Sequence, residues 1–348
     1  MNTTHTWHEI TSQPEVWRNT LEAFLRDRDR LERFLGSREF GPLFATGCGS
    51  THYLAMSAAA GLTLSAGRHA RAFPSSELVF FPRLIPSSPT MLLAISRSGT
   101  TTETLWALDT FRKANPGPVV AVTCYPDSPL ARGADWVLSA QAAQEESIAQ
   151  TRSFASMLLL AQAFAAVLAA DERALAQLQR LPQLLGELVA RYGDVAEALG
   201  RDLGIERLFY LGNGPLYGLA CEGMLKMKEM SLSVAEAYHF LEFRHGPMSM
   251  VNERTLVVGL VSQVAGEHEV RVLQHMERLG AQVLALVEDR AALGEWRPAH
   301  LVEVGSGLGD WPRGLLCLPL LQRLAYHRSV AKGLNPDRPH NLTAVVEL

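Results

Sequence analysis

A surplus of positive charge, clustered cysteines, membrane-length apolar runs and a complete nucleotide fingerprint are all missing from this 348-residue chain, and each absence closes off a class of function. The four cysteines, Cys48, Cys124, Cys221 and Cys317, stand far apart with no CxxC spacing. That pattern fits neither a zinc site nor a secreted disulfide framework, so reduced thiols and a cytoplasmic location are expected. A formal charge of −4 provides no footprint for nucleic acid or an anionic membrane surface. The polar N-terminus, with Trp7, His8, Glu9 and Arg18, lacks the apolar centre of a secretory signal. The most apolar window, 154–170, is interrupted by Gln162 and is too short to span a bilayer. No metal-ligand cluster appears either, and the expectation is a soluble protein with neither metal nor cofactor.

What remains is a chain of 47% hydrophobic and 20% charged residues, enough to bury about two domain cores. Self-similarity supports that number. Phe44-Ala-Thr-Gly-Cys-Gly-Ser-Thr-His-Tyr-Leu-Ala55 lies on Phe209-Tyr-Leu-Gly-Asn-Gly-Pro-Leu-Tyr-Gly-Leu-Ala220 at an offset of 165, matching Phe, both Gly, Leu and Ala. At the same offset Thr90–Ile95 falls on Thr255–Leu260, Val119–Val122 on Leu284–Val287, and Trp136-Val137 on Leu301-Val302. Four apolar runs in constant register predict an internal duplication.

Each run is short, does not alternate, and is followed by Gly, Ser or Pro and then a helical pattern, which reads as a parallel strand buried on both faces. Helices are predicted over Ser50–Leu64, Thr101–Ala114, Pro215–Met230 and Glu267–Gly280. The βαβ succession predicts α/β architecture: two tandem, doubly wound parallel sheets. The Ala- and Leu-rich stretch 147–199, interrupted by Pro182, reads as two long helices, and Gly314–Leu334 as an apolar closing helix. The expected boundaries are an N-terminal helical segment 1–36, a first domain 37–170, a helical linker 171–200, a second domain 201–334 and a tail 335–348. The prolines of Asn335–Leu342 keep that tail non-helical, and a tail so specific is expected to lie across a site.

Ligands of doubly wound sheets sit beyond the carboxyl ends of the strands. There, Ser96-Arg-Ser-Gly-Thr-Thr-Thr102 follows one predicted strand and opens a helix, so hydroxyls, backbone N–H groups and the helix dipole converge. Simple capping is the ordinary alternative, since Thr100 and Glu103 have capping-box spacing. Five hydroxyl residues in seven positions exceed what capping needs, and an anion site is expected; without a P-loop Lys it is not a nucleoside triphosphate site. Gly47-Cys-Gly49 and Gly212-Asn-Gly214 do not complete G-x-G-x-x-G, because His52 and Tyr217 stand where the third Gly belongs. They read as tight turns, with Ser50 and Thr51 as further donors to a ligand.

In the second half, Glu222, Lys226 and Glu229 share one face of a helix that is otherwise apolar. An exposed ion pair is the ordinary reading, but Leu219, Met224, Leu225 and Met227 predict burial, with the charges facing a pocket. His245, in Phe243-Arg-His-Gly-Pro247, stands on a turn, and an imidazole is the residue type suited to acid or base work at physiological pH.

Gly47–Tyr53, Ile95–Thr104, Glu145–Phe154, Cys221–Glu229, Glu236–Tyr238 and Arg244–Pro247, in that order, resemble the sugar isomerase (SIS) domain family. The likeness covers almost the whole chain. It is to two-domain, flavodoxin-like chains such as the isomerase half of glucosamine-6-phosphate synthase and the hexosamine-6-phosphate deaminase/isomerase branch. The resemblance implies that Ser96, Ser98, Thr101 and Thr51 bind a sugar phosphate, with Ser50, Arg97 and Ile148 in the same binding set. It implies that Glu229 moves a proton between C1 and C2, that Glu222 and Lys226 support it, and that His245 opens the sugar ring and reaches the site of a neighbouring subunit in a homodimer.

Two departures from the synthase pattern bear on the chemistry. The chain begins Met1-Asn2-Thr3, with no Cys nucleophile, so unaided use of glutamine is not expected. Ala344 replaces the synthase's catalytic Lys, which excludes a Schiff base from that position. The resemblance therefore implies conversion of an amino-sugar 6-phosphate to the ketose phosphate with release of ammonia. The alternatives are plain aldose/ketose isomerisation, cleavage of a fructosamine-type phosphate, and a sugar-phosphate-binding regulator without catalysis.

Overall fold

A computed structural model describes residues 4–343. Three helices, α1 (His5–Thr11), α2 (Gln13–Arg26) and α3 (Arg28–Gly36), precede β1 (Leu43–Gly47), α4 (Ser50–Ala66), β2 (Ala70–Pro74), α5 (Ser75–Phe80), β3 (Met91–Ile95), α6 (Thr102–Ala114), β4 (Val119–Thr123), α7 (Pro129–Gly133) and β5 (Trp136–Ser139). Then come α8 (Arg152–Leu168), α9 (Glu172–Leu178) and α10 (Leu181–Arg201). The second half runs β6 (Arg207–Leu211), α11 (Pro215–Ser231), β7 (Val234–Tyr238), α12 (Phe240–Phe243), β8 (Thr255–Leu260), α13 (Gly266–Arg278), β9 (Gln282–Val287), β10 (His300–Glu303) and α14 (Asp310–Ala331).

The first sheet has strand order β2-β1-β3-β4-β5, and the second has order β10-β9-β8-β6-β7, the same order written from the other edge. All pairings are parallel. The α/β class, the doubly wound sheets and the duplication are thus as the sequence leads one to expect. Of the strands matched at offset 165, β1 with β6, β3 with β8 and β4 with β9 are inner strands, the residues of β3 and β8 being all buried, while the short match of β5 with β10 lies at a sheet edge. Two edge strands gave no such signal: Ala70-Arg-Ala-Phe-Pro74 and Val234-Ala-Glu-Ala-Tyr238 are half exposed and mix polar with apolar residues.

The stretch read as two long helices is three. Asp171 accepts a hydrogen bond from the Ala174 amide and starts α9 afresh, after Ala170 turns the chain at a positive φ of 52°. Pro182 sits in the first turn of α10, where its missing N–H costs nothing. The closing helix begins earlier than expected, at Asp310, and carries Pro319 inside it.

Compact packing divides the chain into two units: residues 12–145 with 150–182, and residues 1–11, 146–149 and 183–342. In the first, Phe44, Leu92, Ala94, Phe111, Val119 and Ala121 form the core between sheet and helices. In the second, Phe209, Val257, Leu273, Met276, Val283 and Ala285 do so. In this second unit the tail does not trail free: the Asp337 carboxylate accepts from the amides of His5 and Thr6 and from the Thr6 hydroxyl, holding the start of α1.

Candidate functional site

In the first unit the loop between β3 and α6 is fixed from below. The Arg97 carbonyl accepts from the Cys124 amide and the Thr123 hydroxyl, both at 3.0 Å, and the Gly99 carbonyl from the Leu130 amide at 3.0 Å. Gly99 has a φ of +65°, and a Cβ built there would meet the Ser128 hydroxyl at 2.0 Å, so no other residue fits the turn. Within the loop the Gly99 amide donates to the Ser96 hydroxyl at 3.1 Å, and the Ser96 and Thr101 hydroxyls lie 2.9 Å apart. The Thr100 amide and hydroxyl donate to the Ser98 oxygen at 3.2 and 2.9 Å. Thr101 is the N-cap of α6 but makes no side-chain capping bond, so the capping box is not formed. The hydroxyls instead preorganise one another beside a helix N-terminus, an arrangement suited to an oxyanion.

Arg97 sits differently from its neighbours. Its guanidinium lies 3.5 Å from the fully buried Glu145 carboxylate. Glu145 in turn accepts from the Thr151 amide and hydroxyl, each at 2.7 Å, and from the Ser153 amide at 3.2 Å, and so caps α8. One buried carboxylate ties this hydroxyl-rich loop to the segment that opens α8. In the sequence Glu145 stands out only as part of a resembling stretch; its spacing ahead of Thr151 and Ser153 is the signal for this role.

Ser50 and Thr51 open α4 and are buried. The Thr51 hydroxyl is engaged at both ends with Cys48, accepting from its amide and donating to its carbonyl at 2.9 Å. Beside this turn, at the carboxyl ends of β1 and β2, lies a 210 Å³ cleft lined by Cys48, His52, Ser75, Ser76 and Glu103. Burial holds the Cys48 thiol above its ordinary value, so it stays protonated and is no nucleophile at neutral pH.

In the second unit, the predicted charged face of α11 is buried. Glu222 and Lys226 have side chains 0 and 1% exposed, whereas that of Glu229 is 19% exposed. The Lys226 ammonium lies 3.3 Å from Glu222 and hydrogen-bonds Glu229. Burial by itself pulls the Lys226 pKa down, but the two carboxylates outweigh it and the net direction is up. Lys226 is therefore a fixed cation at the working pH. It orients Glu229, the one member of the row that reaches solvent.

His245 is exposed on the turn after α12. Among the described residues no hydrogen bond or ion pair joins its side chain to Glu229 of the same chain. Ile148 is half-buried in this unit, its amide donating to the Asp337 carbonyl of the tail at 3.3 Å. The neighbouring Ser147 is held by the buried Glu9 carboxylate. The tail therefore supports the Ile148 segment, although Ala344 lies outside the described residues.

The structure thus gathers Ser96, Arg97, Ser98 and Thr101 in one loop with Ser50 and Thr51 at a neighbouring strand end, and Glu222, Lys226 and Glu229 on one buried helix face. Among the described residues no group of three or more His, Cys, Asp or Glu is placed to hold a metal ion. No described helix is long and apolar enough to cross a membrane.

A duplicated, doubly wound parallel sheet with a hydroxyl-rich loop in one copy and a buried Glu-Lys-Glu row in the other defines the class. Residues 41–167 and 204–291 match the SIS domain model, and the chain belongs to the SIS domain family. It is 30% identical over 350 residues to a glutamine–fructose-6-phosphate aminotransferase (isomerizing) of Legionella pneumophila strain Lens, covering 97% of this chain and 57% of that protein. The chain therefore spans little more than half the length of such curated relatives. Among solved structures it resembles the tagatose-6-phosphate ketose/aldose isomerase of Escherichia coli (TM-score 0.88, 25% identity, 98% of this chain and 96% of the other). It also resembles a glucosamine-6-phosphate deaminase of Thermotoga maritima (TM-score 0.80, 27% identity, 99% of this chain and 100% of the other).

Proposed function

We propose that this chain is a phosphosugar isomerase that acts on an amino-sugar 6-phosphate and releases ammonia as it forms the ketose phosphate. The observation that carries the reading is the α11 row: a buried Lys226 clamped between two carboxylates, with Glu229 alone presented outward. Moving hydrogen between adjacent carbons requires one carboxylate held at a fixed place to take a proton and return it. Glu229 takes the proton from C2 of the open-chain aldehyde, the C1–C2 enolamine forms, and the same carboxyl returns the proton to C1. The resulting C2 imine adds water and expels ammonia, so one water is consumed for each ammonia released.

The loop Ser96–Thr101, with Ser50 and Thr51, anchors the phosphate; Arg97 acts through Glu145, and Ile148 lines the sugar. His245 assists ring opening as acid and base at the ring oxygen and O1. Its exposed position, without a bond to Glu229 of its own chain, fits service to a second copy in a homodimer. Plain ketose/aldose isomerisation is the second reading, favoured by the extent of the likeness to the Escherichia coli isomerase. The intact carboxylate row speaks against a purely regulatory role.

Ammonia release from glucosamine 6-phosphate and galactosamine 6-phosphate tests the proposal directly. Turnover of an unaminated hexose phosphate, with neither amino sugar consumed, would replace deamination by plain isomerisation. Binding of a sugar-phosphate panel without any turnover would leave a regulator.

A further inference from the structure

The second copy has its own loop where the first has its hydroxyl cluster, residues 261–265 between β8 and α13, and the donors of Ser262 and Gln263 in it are already engaged by carboxylates. The Ser262 amide and hydroxyl both donate to the Glu269 carboxylate, the hydroxyl at 3.0 Å, and the Asn213 side-chain amide donates to it at 2.6 Å. Glu269 comes from the first turn of α13 and is 1% exposed. The next amide, Gln263, donates to both oxygens of Asp310 at 2.9 and 3.1 Å, and Asp310 is held by Arg313 at 2.6 Å. At offset 165 the partners of Asn213 and Glu269 are Cys48 and Thr104, whose side chains meet at 3.7 Å as an uncharged pair.

Asn213 has a second hydrogen bond, its carbonyl oxygen accepting from the Phe240 amide at 3.4 Å. Its backbone carbonyl accepts from Leu216 at 3.0 Å, in the first turn of α11. Asn213 therefore stands at the start of the helix that carries Glu229 and bonds the start of α12, which leads into the His245 turn.

We propose that Glu269 is the resident anion of the second copy: its carboxylate fills the cradle that in the first copy receives phosphate and, through Asn213, it positions α11 and α12. The proposal rests on the reading above for the roles of Glu229 and His245. A carboxylate that burial pushes toward its neutral form is a poor choice for stability alone. Three converging donors keep it useful as an anion, and its removal frees them for another. Glu269 is a positioning residue, since it touches no reacting atom.

The test uses Glu269→Ala and Glu269→Gln in the whole chain, with calorimetric titration of inorganic phosphate. The wild-type chain takes one phosphate, and Glu269→Ala takes two, because the emptied cradle keeps the Ser262 and Asn213 donors beside a helix N-terminus. In steady-state assays Glu269→Ala lowers kcat by up to about 100-fold with KM nearly unchanged, the cost of a misplaced group. Added formate restores part of that kcat. A Glu269→Ala chain with native circular dichroism, one phosphate equivalent and no response to formate overturns the proposal. If Glu269→Ala does not fold, the isosteric Glu269→Gln decides, and an unchanged kcat then overturns it. If neither amino sugars nor hexose phosphates are turned over by the wild-type chain, the function fails but the phosphate count still judges the cradle.

Discussion

The two copies share a strand order and diverge where strands hand over to helices. In the first, the loop after β3 carries hydroxyls that bond one another and the backbone. In the second, the loop after β8 encloses Glu269, and the ionisable row lies on the helix after β6. Duplication supplies two equivalent crevices, and on the proposed reading of Glu269 a single acidic side chain at the position of Thr104 closes one to an external anion. The lesson is that a fold sets where a site can be, while the charge already resident there decides what it takes.

The sharpest break in the comparison comes from Glu229→Gln. It should lower turnover by about 10²- to 10⁴-fold, the usual contribution of a positioned acid–base group, while phosphate affinity measured by calorimetry stays as in the wild type. A parallel fall in phosphate affinity would mean that the two copies do not divide the work. Next is Lys226→Met, which leaves two carboxylates on a buried helix face without their cation. Its cost should be about 3–5 kcal/mol, read from the shift of the urea midpoint. A shift close to zero would show that the α11 row is solvated.

Smaller effects follow from matched glycine and non-glycine positions. Gly99→Ala forces a Cβ onto Ser128 at positive φ and should cost about 1–3 kcal/mol, with loss of phosphate binding. Its counterpart at offset 165, Val264, is 93% exposed, and Val264→Ala should leave the melting temperature and phosphate binding unchanged. Equal effects at both positions would erase the asymmetry between the loops.

The smallest effect is a pH slope. Burial first, and Asp310 in addition, raise the Glu269 pKa, against the donors from Ser262 and Asn213. A folded-state value above the unfolded one, about 4.3, means that ionisation subtracts stability as pH rises from there through the folded value. Urea midpoints measured across that window should fall less with pH in Glu269→Gln than in the wild type. Parallel slopes would show that Glu269 titrates as if in water.

Much of this was legible in the chain itself. The buried inner strands are continuous apolar runs, and a register of 165 survives in them because both faces of each strand demand the same kind of residue. The loop Ser96–Thr101 announced itself by hydroxyl count, and the α11 row by helical spacing on an apolar background. The edge strands β2 and β7 were silent because a half-exposed strand tolerates Arg71 or Glu236. Arg97 reads in sequence as a ligand group, yet its guanidinium is drawn to Glu145, a partner 48 residues away.

By itself, the sequence determined the architecture, the duplication, the position of the hydroxyl-rich loop and the common face of Glu222, Lys226 and Glu229, since all follow from local periodicity and from residue types at strand ends. Tertiary structure alone decided which charges are used up inside the protein. The upward net direction of the Lys226 pKa, the hold of Asn213 on Glu269 and the hold of Asp337 on α1 each depend on desolvation or on contacts between distant segments, which spacing along the chain does not reveal.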